Sequence, residues 1–177
     1  VGLANGCVQA FDAVTLESLW LYEDPLGGQP NCPITYEDGY LYTGFWNRED
    51  GNANFVCLTV TDEDPAQTDE SKLASWTYTP RGGFYWAGAC VQNGVLLVGT
   101  DDGQDSTSPV LSTGRVLLFD AATGALLDEV GGICGDVRST ICYDSGSKAY
   151  YATSKGGEFI RIKLNATGRK IDSKQTL

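Results

Sequence analysis

The feature that most constrains this chain is an internal repeat. Three segments each carry a hydrophobic run, a turn with glycine and a second hydrophobic run: Ile34–Gly44, Cys90–Thr100 and Ile141–Thr153. Their turns read Asp38-Gly39, Asn93-Gly94 and Ser145-Gly146, pairs that tolerate the positive φ of a two-residue hairpin. Gly39 and Gly94 are 55 residues apart, and Gly94 and Gly146 are 52. A second segment keeps the same spacing. Val8–Thr15 matches Val116–Thr123, and Asp12 and Asp120 lie 108 apart, two repeats of 54. Phe55–Val60 and Phe159–Gly168 supply the other copies, with Asn165 in the place of Asp120. The Asp or Asn accepts backbone N–H bonds inside its turn, and Gly124 or Gly168 takes the left-handed position. A further strand follows each turn, at Leu19–Tyr22, Ser75–Tyr78, Leu126–Val130 and Arg169–Asp172, and Trp20 and Trp76 are 56 apart.

Each unit is therefore four short antiparallel strands, A to D, which is the sequence form of a β-propeller blade. Sandwiches also have short strands, but not this self-similar spacing. The fold class expected is all-β: a single partial β-propeller domain over 1–177, of about 3.75 four-stranded blades. The blades fall at about 1–23, 32–79, 88–131 and 137–176. Val1–Asn5 reads as a B strand, so the first blade lacks its innermost strand. With no starting Met, the chain reads as a trimmed or processed segment. Thr61–Lys72 is polar and acidic and reads as a long C–D loop.

Composition excludes several functions. There is no histidine, so Ser-His-Asp triads, Cys–His nucleophiles and His-ligated zinc cannot be built within this chain. Lys and Arg number 12 against 23 Asp and Glu, a formal net charge of −11. Such a surface repels phosphate, so no nucleic acid and no anionic membrane is expected as a partner. No apolar run approaches the ~20 residues of a membrane span. The six cysteines lack any CxxC spacing. They read as buried small hydrophobes or as one or more disulfides, with Cys32 and Cys134 the most loop-like candidates.

At these motifs the chain resembles the quinoprotein-type (PQQ-like) β-propeller repeat family. The carrying pattern is Gly-x-Val-x-x-Phe-Asp-Ala-x-Thr-Gly at Gly114–Gly124, weakened at Gly6–Leu16, with the Trp20 and Trp76 strands and the hairpin at Glu37–Gly44. The resemblance implies seven or eight blades in a full ring. It covers quinone-dependent alcohol and sugar dehydrogenases and also non-catalytic members such as outer-membrane assembly lipoproteins. Quinone-binding members typically carry an adjacent Cys-Cys pair and a metal set of Glu, Asn and Asp. This chain has no adjacent Cys pair, so no catalytic residue is carried over and no cofactor is expected.

The D–A crossovers and B–C loops share one face, opposite the Asp-x-x-Thr turns, and propellers usually bind ligands there. Paired glycines recur in the crossovers at Gly27-Gly28, Gly82-Gly83 and Gly131-Gly132. They ease a tight crossover or admit a ligand close to the backbone. Phe45, Trp46, Phe84, Tyr85 and Trp86 form a candidate aromatic rim for a ligand, or pack between blades. Arg48, Arg81 and Arg138 are loop cations that answer an anion or pair with surface carboxylates. Asp101-Asp102-Gly103-Gln104-Asp105 has the oxygen-rich look of a calcium loop without the spacing or terminal Glu of an EF-hand. Asn165-Ala166-Thr167 is a formal glycosylation sequon that the repeat's own turn explains.

The function expected is a non-catalytic binding or scaffold module, part of a propeller from a secreted or cell-surface bacterial protein, with a protein or carbohydrate ligand. The alternative is a fragment of a quinone-dependent alcohol or sugar dehydrogenase. An open arc also needs a partner: a second copy of the chain, or the missing remainder of the propeller. The contact is expected to be large and apolar, carried by residues 1–22 and 137–177.

Overall fold

In the computed structural model, which describes residues 1–104 and 113–177, sixteen strands form four four-stranded sheets. The second sheet orders β4 (Thr35–Glu37), β5 (Tyr40–Gly44), β6 (Phe55–Thr59) and β8 (Trp76–Tyr78). The third orders β9 (Cys90–Gln92), β10 (Val95–Thr100), β11 (Thr113–Asp120) and β12 (Leu126–Cys134). The fourth orders β13 (Cys142–Asp144), β14 (Ala149–Thr153), β15 (Phe159–Leu164) and β16 (Ile171–Thr176). These three are antiparallel meanders. Among the described residues the sole helical piece is a 3₁₀ turn at Ala4–Gly6.

The first sheet departs from the sequence reading. It holds β1 (Gly2–Leu3), β2 (Cys7–Phe11) and β3 (Ser18–Glu23), and it gains a fourth strand on its outer edge. That strand is β7 (Glu70–Lys72), which lies within the segment expected to be loop and pairs parallel to β3. The insertion is held by its own charges. The Glu70 carboxylate accepts the N–H groups of Glu63 and Asp64 at 3.0 and 2.8 Å. Lys72 donates to the Thr61 carbonyl and to Glu63, and its ammonium lies 5.4 Å from the Trp20 ring centre. Polar composition thus produced a strand cover for an otherwise bare edge. The third sheet also runs past 131: Gly131-Gly132 lie inside β12, beyond a register shift between Gly114 and Val116.

The sheets pack face to face in chain order through three apolar seams. Val8, Trp20 and Tyr22 of the first sheet meet Val56 and Leu58 of the second. Phe55, Cys57 and Trp76 meet Leu96, Val98, Leu117 and Phe119 of the third. Val95, Leu97, Val116 and Leu118 meet Tyr150, Ala152, Ile160 and Ile162 of the fourth. The tryptophans lock the seams by a repeated bond. Trp20 Nε1 donates to the Val60 carbonyl at 3.3 Å, and Trp76 Nε1 to the Ala121 carbonyl at 2.9 Å. Gly124, at φ +70°, lies so close to the Trp76 ring that a Cβ there would come within 2.5 Å of it. At the third seam Asp128 holds the tryptophan place and accepts the N–H of Ile171 at 2.8 Å.

All six cysteines are free thiols. Cys32 and Cys57 are buried, and Cys134 and Cys142 are exposed. Asn165 is committed to its turn, where Oδ1 accepts from Thr167 Oγ1 and the Arg169 N–H.

Candidate functional face

The crossovers and the B–C loops meet on one face, and the repeat can be read there atom by atom. Three backbone bonds recur: Trp46 N–H to the Gln29 carbonyl at 3.1 Å, Asp101 N–H to Gly83 at 3.1 Å, and Lys155 N–H to Asp136 at 2.8 Å. They place Trp46, Asp101 and Lys155 at one repeat position, just after strand B. They place Gly28, Gly82 and Gly135 at another, each with positive φ. Gly135 is therefore the true counterpart of the crossover glycines, not Gly131-Gly132. At Gly82 a Cβ would lie 2.5 Å from the Gly103 backbone, so this glycine is required by a close loop approach.

Tyr85 and Arg138, two residues beyond Gly83 and Asp136, hold equivalent places in successive crossovers. Each leans on the residue that follows strand B of the blade being left. The Tyr85 ring lies 4.9 Å from the Trp46 ring, and Arg138 forms ion pairs with Asp101. One backbone position thus carries a tilted aromatic contact in one blade and a salt bridge in the next.

The salt bridge anchors a larger cluster. The Arg138 guanidinium lies 2.6 Å from Asp101, 3.0 Å from Asp136 and 3.3 Å from Glu49. Lys155 adds a second contact to Asp136 at 3.4 Å. Asp101 is fully buried and Asp136 nearly so. Burial pushes the Asp101 carboxyl up to about 7; the hydrogen bonds from Arg138 pull the other way, and Asp136 and Glu49 push it further up. Glu49, Asp101 and Asp136 bring oxygens within 4.8 Å of one another, which is a spacing a cation could bridge. Arg138 already fills that place, and with Lys155 it sets two positive charges against the three carboxylates.

Arg138 also lies 4.7 Å from the centre of the Tyr85 ring. Tyr85 is thereby held between a guanidinium, Trp46 and Trp86, whose ring centre is 4.2 Å away. Trp86 is 55% exposed and has left-handed backbone at φ +59°. It borders an open hollow of about 400 Å³ lined by Arg138, Ser139, Thr153, Ser154 and Lys155. Two hydroxyls of this hollow are committed: Ser139 Oγ bonds both backbone groups of Thr153, and Ser154 Oγ donates to the Cys134 carbonyl.

The expected rim is thus smaller than its five aromatics. Phe45 and Phe84 are fully buried in the seams and offer no surface. Arg48 pairs with Asp50 on the surface at 2.9 Å, and Arg81 donates to the Asp50 carbonyl. Neither reaches the Trp86 hollow. Of the calcium-loop residues, Asp101 turns inward to Arg138, Asp102 accepts the Gln104 N–H, and Asp105 lies outside the described residues. Glu49, Asp136 and Lys155 were not singled out from sequence. Aligning the crossovers on Gly135 would have put Asp136 and Arg138 beside Asp101.

No protein-family profile matches the chain, and no curated protein matches it. Solved structures do. BamB from Moraxella catarrhalis superposes with a TM-score of 0.62 at 19% identity, over 99% of this chain and 45% of that one. The fold is a β-propeller. A chain of a mitotic checkpoint complex aligns at a TM-score of 0.46 and 15% identity, over 99% of this chain and 59% of that one. This propeller chain spans less than half the length of the BamB chain it matches. Among the described residues no helix is long and apolar enough to cross a membrane.

Proposed function

We propose that the chain is a non-catalytic binding and scaffold module, part of a PQQ-like propeller of a secreted or cell-surface bacterial protein, and that it takes a protein segment on the Trp86 platform. The observation that carries this reading is Trp86 itself. A large aromatic held at 55% exposure, in left-handed backbone, rests against Tyr85, whose ring is in turn held by Trp46 and Arg138. Tryptophan and arginine are the residues that most often anchor protein interfaces. The Ser139 and Ser154 hydroxyls are spent on backbone groups, which leaves the exposed Trp86 ring as the main feature a peptide side chain would meet. Arg138 and Lys155 hold the three carboxylates in ion pairs, and Asp101, whose carboxyl is pushed up to about 7, is fully buried away from the hollow's surface. The carboxylate trio does not fit the metal of a bound quinone, because Arg138 stands in it, and no vicinal cysteine pair accompanies it.

The test is a peptide-display library and a glycan array, each probed with the chain and with Trp86→Ala. Peptides retained by the chain and at least ~10-fold weaker on the variant, about 1.4 kcal/mol, support the reading. Glycans bound without peptides would make the ligand a carbohydrate. Stoichiometric quinone binding with alcohol oxidation would restore the dehydrogenase alternative.

A further inference from the structure

The first and second seams are each closed by an indole, and the third is not. Trp20 and Trp76 cross from their D strands to the next sheet and donate Nε1 to the Val60 and Ala121 carbonyls. In the second seam the Trp76 ring also stacks on Phe119 at 5.9 Å and covers Gly124. The Tyr42 hydroxyl adds a second bond to the Ala121 carbonyl at 3.3 Å. Neither donor has a counterpart in the third seam. Asp128 stands opposite Leu118 where Trp76 stands opposite Cys57. Leu97 stands opposite Leu118 where Tyr42 stands opposite Cys57.

The receiving side of the third seam is nonetheless kept. Asn165-Ala166-Thr167-Gly168 repeats the Asp120–Gly124 turn with one residue fewer, and Leu164 stands where Phe119 stands. Gly168 and Gly124 share the same left-handed backbone, at φ +70°. A Cβ on Gly124 would strike the Trp76 ring, whereas a Cβ on Gly168 would meet nothing within 4 Å. Among the described residues no hydrogen bond reaches the Ala166 carbonyl. Both seams have a hollow on the turn face, between neighbouring hairpins. In the second seam it is about 390 Å³, and on the turn of the next sheet it stops at Ala121 and Ala122. In the third it is about 480 Å³ and runs on to Leu164 and Gly168, the places that Trp76 covers one seam earlier. Tyr150 lines this larger hollow with 4% of its surface exposed, and among the described residues its hydroxyl has no hydrogen-bond partner. Its ring lies 4.9 Å from that of Tyr143, so one wall is aromatic and keeps an unspent polar group.

We propose that the hollow of the third seam binds the indole ring of a ligand, with the ring against Leu164 and Gly168 and its N–H donated to the Ala166 carbonyl. The ligand would do in this seam what Trp76 does in the second. A flat bicyclic ring supplies the apolar contact that Asp128 does not, and the ring N–H satisfies an acceptor that other flat hydrocarbons leave unpaired. Tyr143 and Tyr150 provide aromatic contact from the side, and the Tyr150 hydroxyl can meet a polar substituent. Both walls belong to complete four-stranded sheets. The hollow lies on the face opposite Trp86, so this proposal and the peptide-binding reading stand or fail separately.

Titration of the isotope-labelled chain with free indole, followed by amide NMR shifts, tests it. Indole is expected to fill a single saturable site with a Kd of about 1 mM or tighter, within reach of a ligand of its size. The amides of Leu164, Ala166 and Gly168 should move. 1-Methylindole keeps the ring and loses the donor, so it should bind about 5-fold more weakly, the worth of one hydrogen bond. Asp128→Trp returns the repeat's own indole to the seam. It should raise the unfolding temperature and weaken indole binding at least ~10-fold. Should that variant fail to fold, Ala166→Trp fills the hollow from an exposed turn residue, with the same loss of binding expected. N-acetyltryptophanamide separates the sources of the ring: tighter binding than indole assigns it to a protein side chain, weaker binding to a small molecule. Unshifted amides at saturating indole, shifts gathered at Trp86 instead, equal binding of 1-methylindole, or undiminished binding to a folded variant would each overturn the proposal.

Discussion

The Arg138 guanidinium grips Asp101 with two bonds, from Nε at 2.9 Å and from Nη2 at 2.6 Å, on a carboxylate with no solvent exposure. The pair ties the third crossover to the loop after β10, and Glu49 brings the second blade into the same contact. Arg138→Ala would leave Asp101 buried without its counter-charge and Asp136 with Lys155 alone. A loss of about 3–5 kcal/mol is expected in denaturant unfolding. Pairing Arg138→Met with Asp101→Asn should recover most of it, since the orphaned charge is then gone.

The pH dependence of Asp101 has a definite sign. Its folded pKa is pushed up to about 7, first by burial, above the ordinary carboxylate value of 3.8. The folded state then holds more protons than the unfolded chain between those values. Its contribution to stability is present at low pH and falls as pH rises from about 4 to about 7. Asp120 acts oppositely. Chiefly the Arg169 bond holds its carboxyl low, so its contribution is present above the unfolded pKa and is lost as pH falls. Subtracting the stability curve of Asp101→Asn from that of the parent chain isolates the Asp101 slope. A flat difference between pH 4 and 7 would contradict it.

Trp76 is the strongest single lock of the second seam. Trp76→Ala should cost about 3–5 kcal/mol by cavity formation. Trp76→Phe keeps the packing but loses the bond to the Ala121 carbonyl, a loss of about 1 kcal/mol plus the filling defect. Gly124→Ala should destabilise as well, because it combines a φ of +70° with a clash against the Trp76 ring. Thermal unfolding of the three variants gives the ranking.

Thiol reactivity should divide the cysteines by place. Burial raises the Cys32 thiol to about 12 and the Cys57 thiol to about 11, and both are enclosed. Maleimide at neutral pH should label the exposed Cys134 and Cys142 first, with Cys32 and Cys57 reacting only on unfolding. Mass spectrometry of peptides from briefly labelled protein measures the order. Early modification of Cys32 would show that the Phe84 carbonyl contact of its thiol opens readily.

Much of this molecule was legible as text because a propeller blade is a local object. Its hairpins close within a few residues, so Asn93-Gly94 and Asp120–Gly124 announce their turns without knowledge of anything distant. Even the Trp20 and Trp76 strands follow from their spacing. The candidate site was less legible. Trp46, Tyr85 and Trp86 stand out by their place in the crossovers and B–C loops of one face, but so do Phe45 and Phe84, and nothing local separates an outward aromatic from an inward one there.

The sequence by itself determined the repeat, the strand order within each blade, the turn chemistry and the exclusion of histidine-based catalysis, because each depends on neighbours in the chain. Only the tertiary structure decided that the acidic insertion becomes β7, that Gly135 rather than Gly131-Gly132 marks the third crossover, and that Arg138 stands among Glu49, Asp101 and Asp136. Those outcomes join residues as far as 89 positions apart. They rest on which side chains the packed sheets bring within ionic and hydrogen-bond reach, which the packing of one blade on the next selects and no single repeat contains.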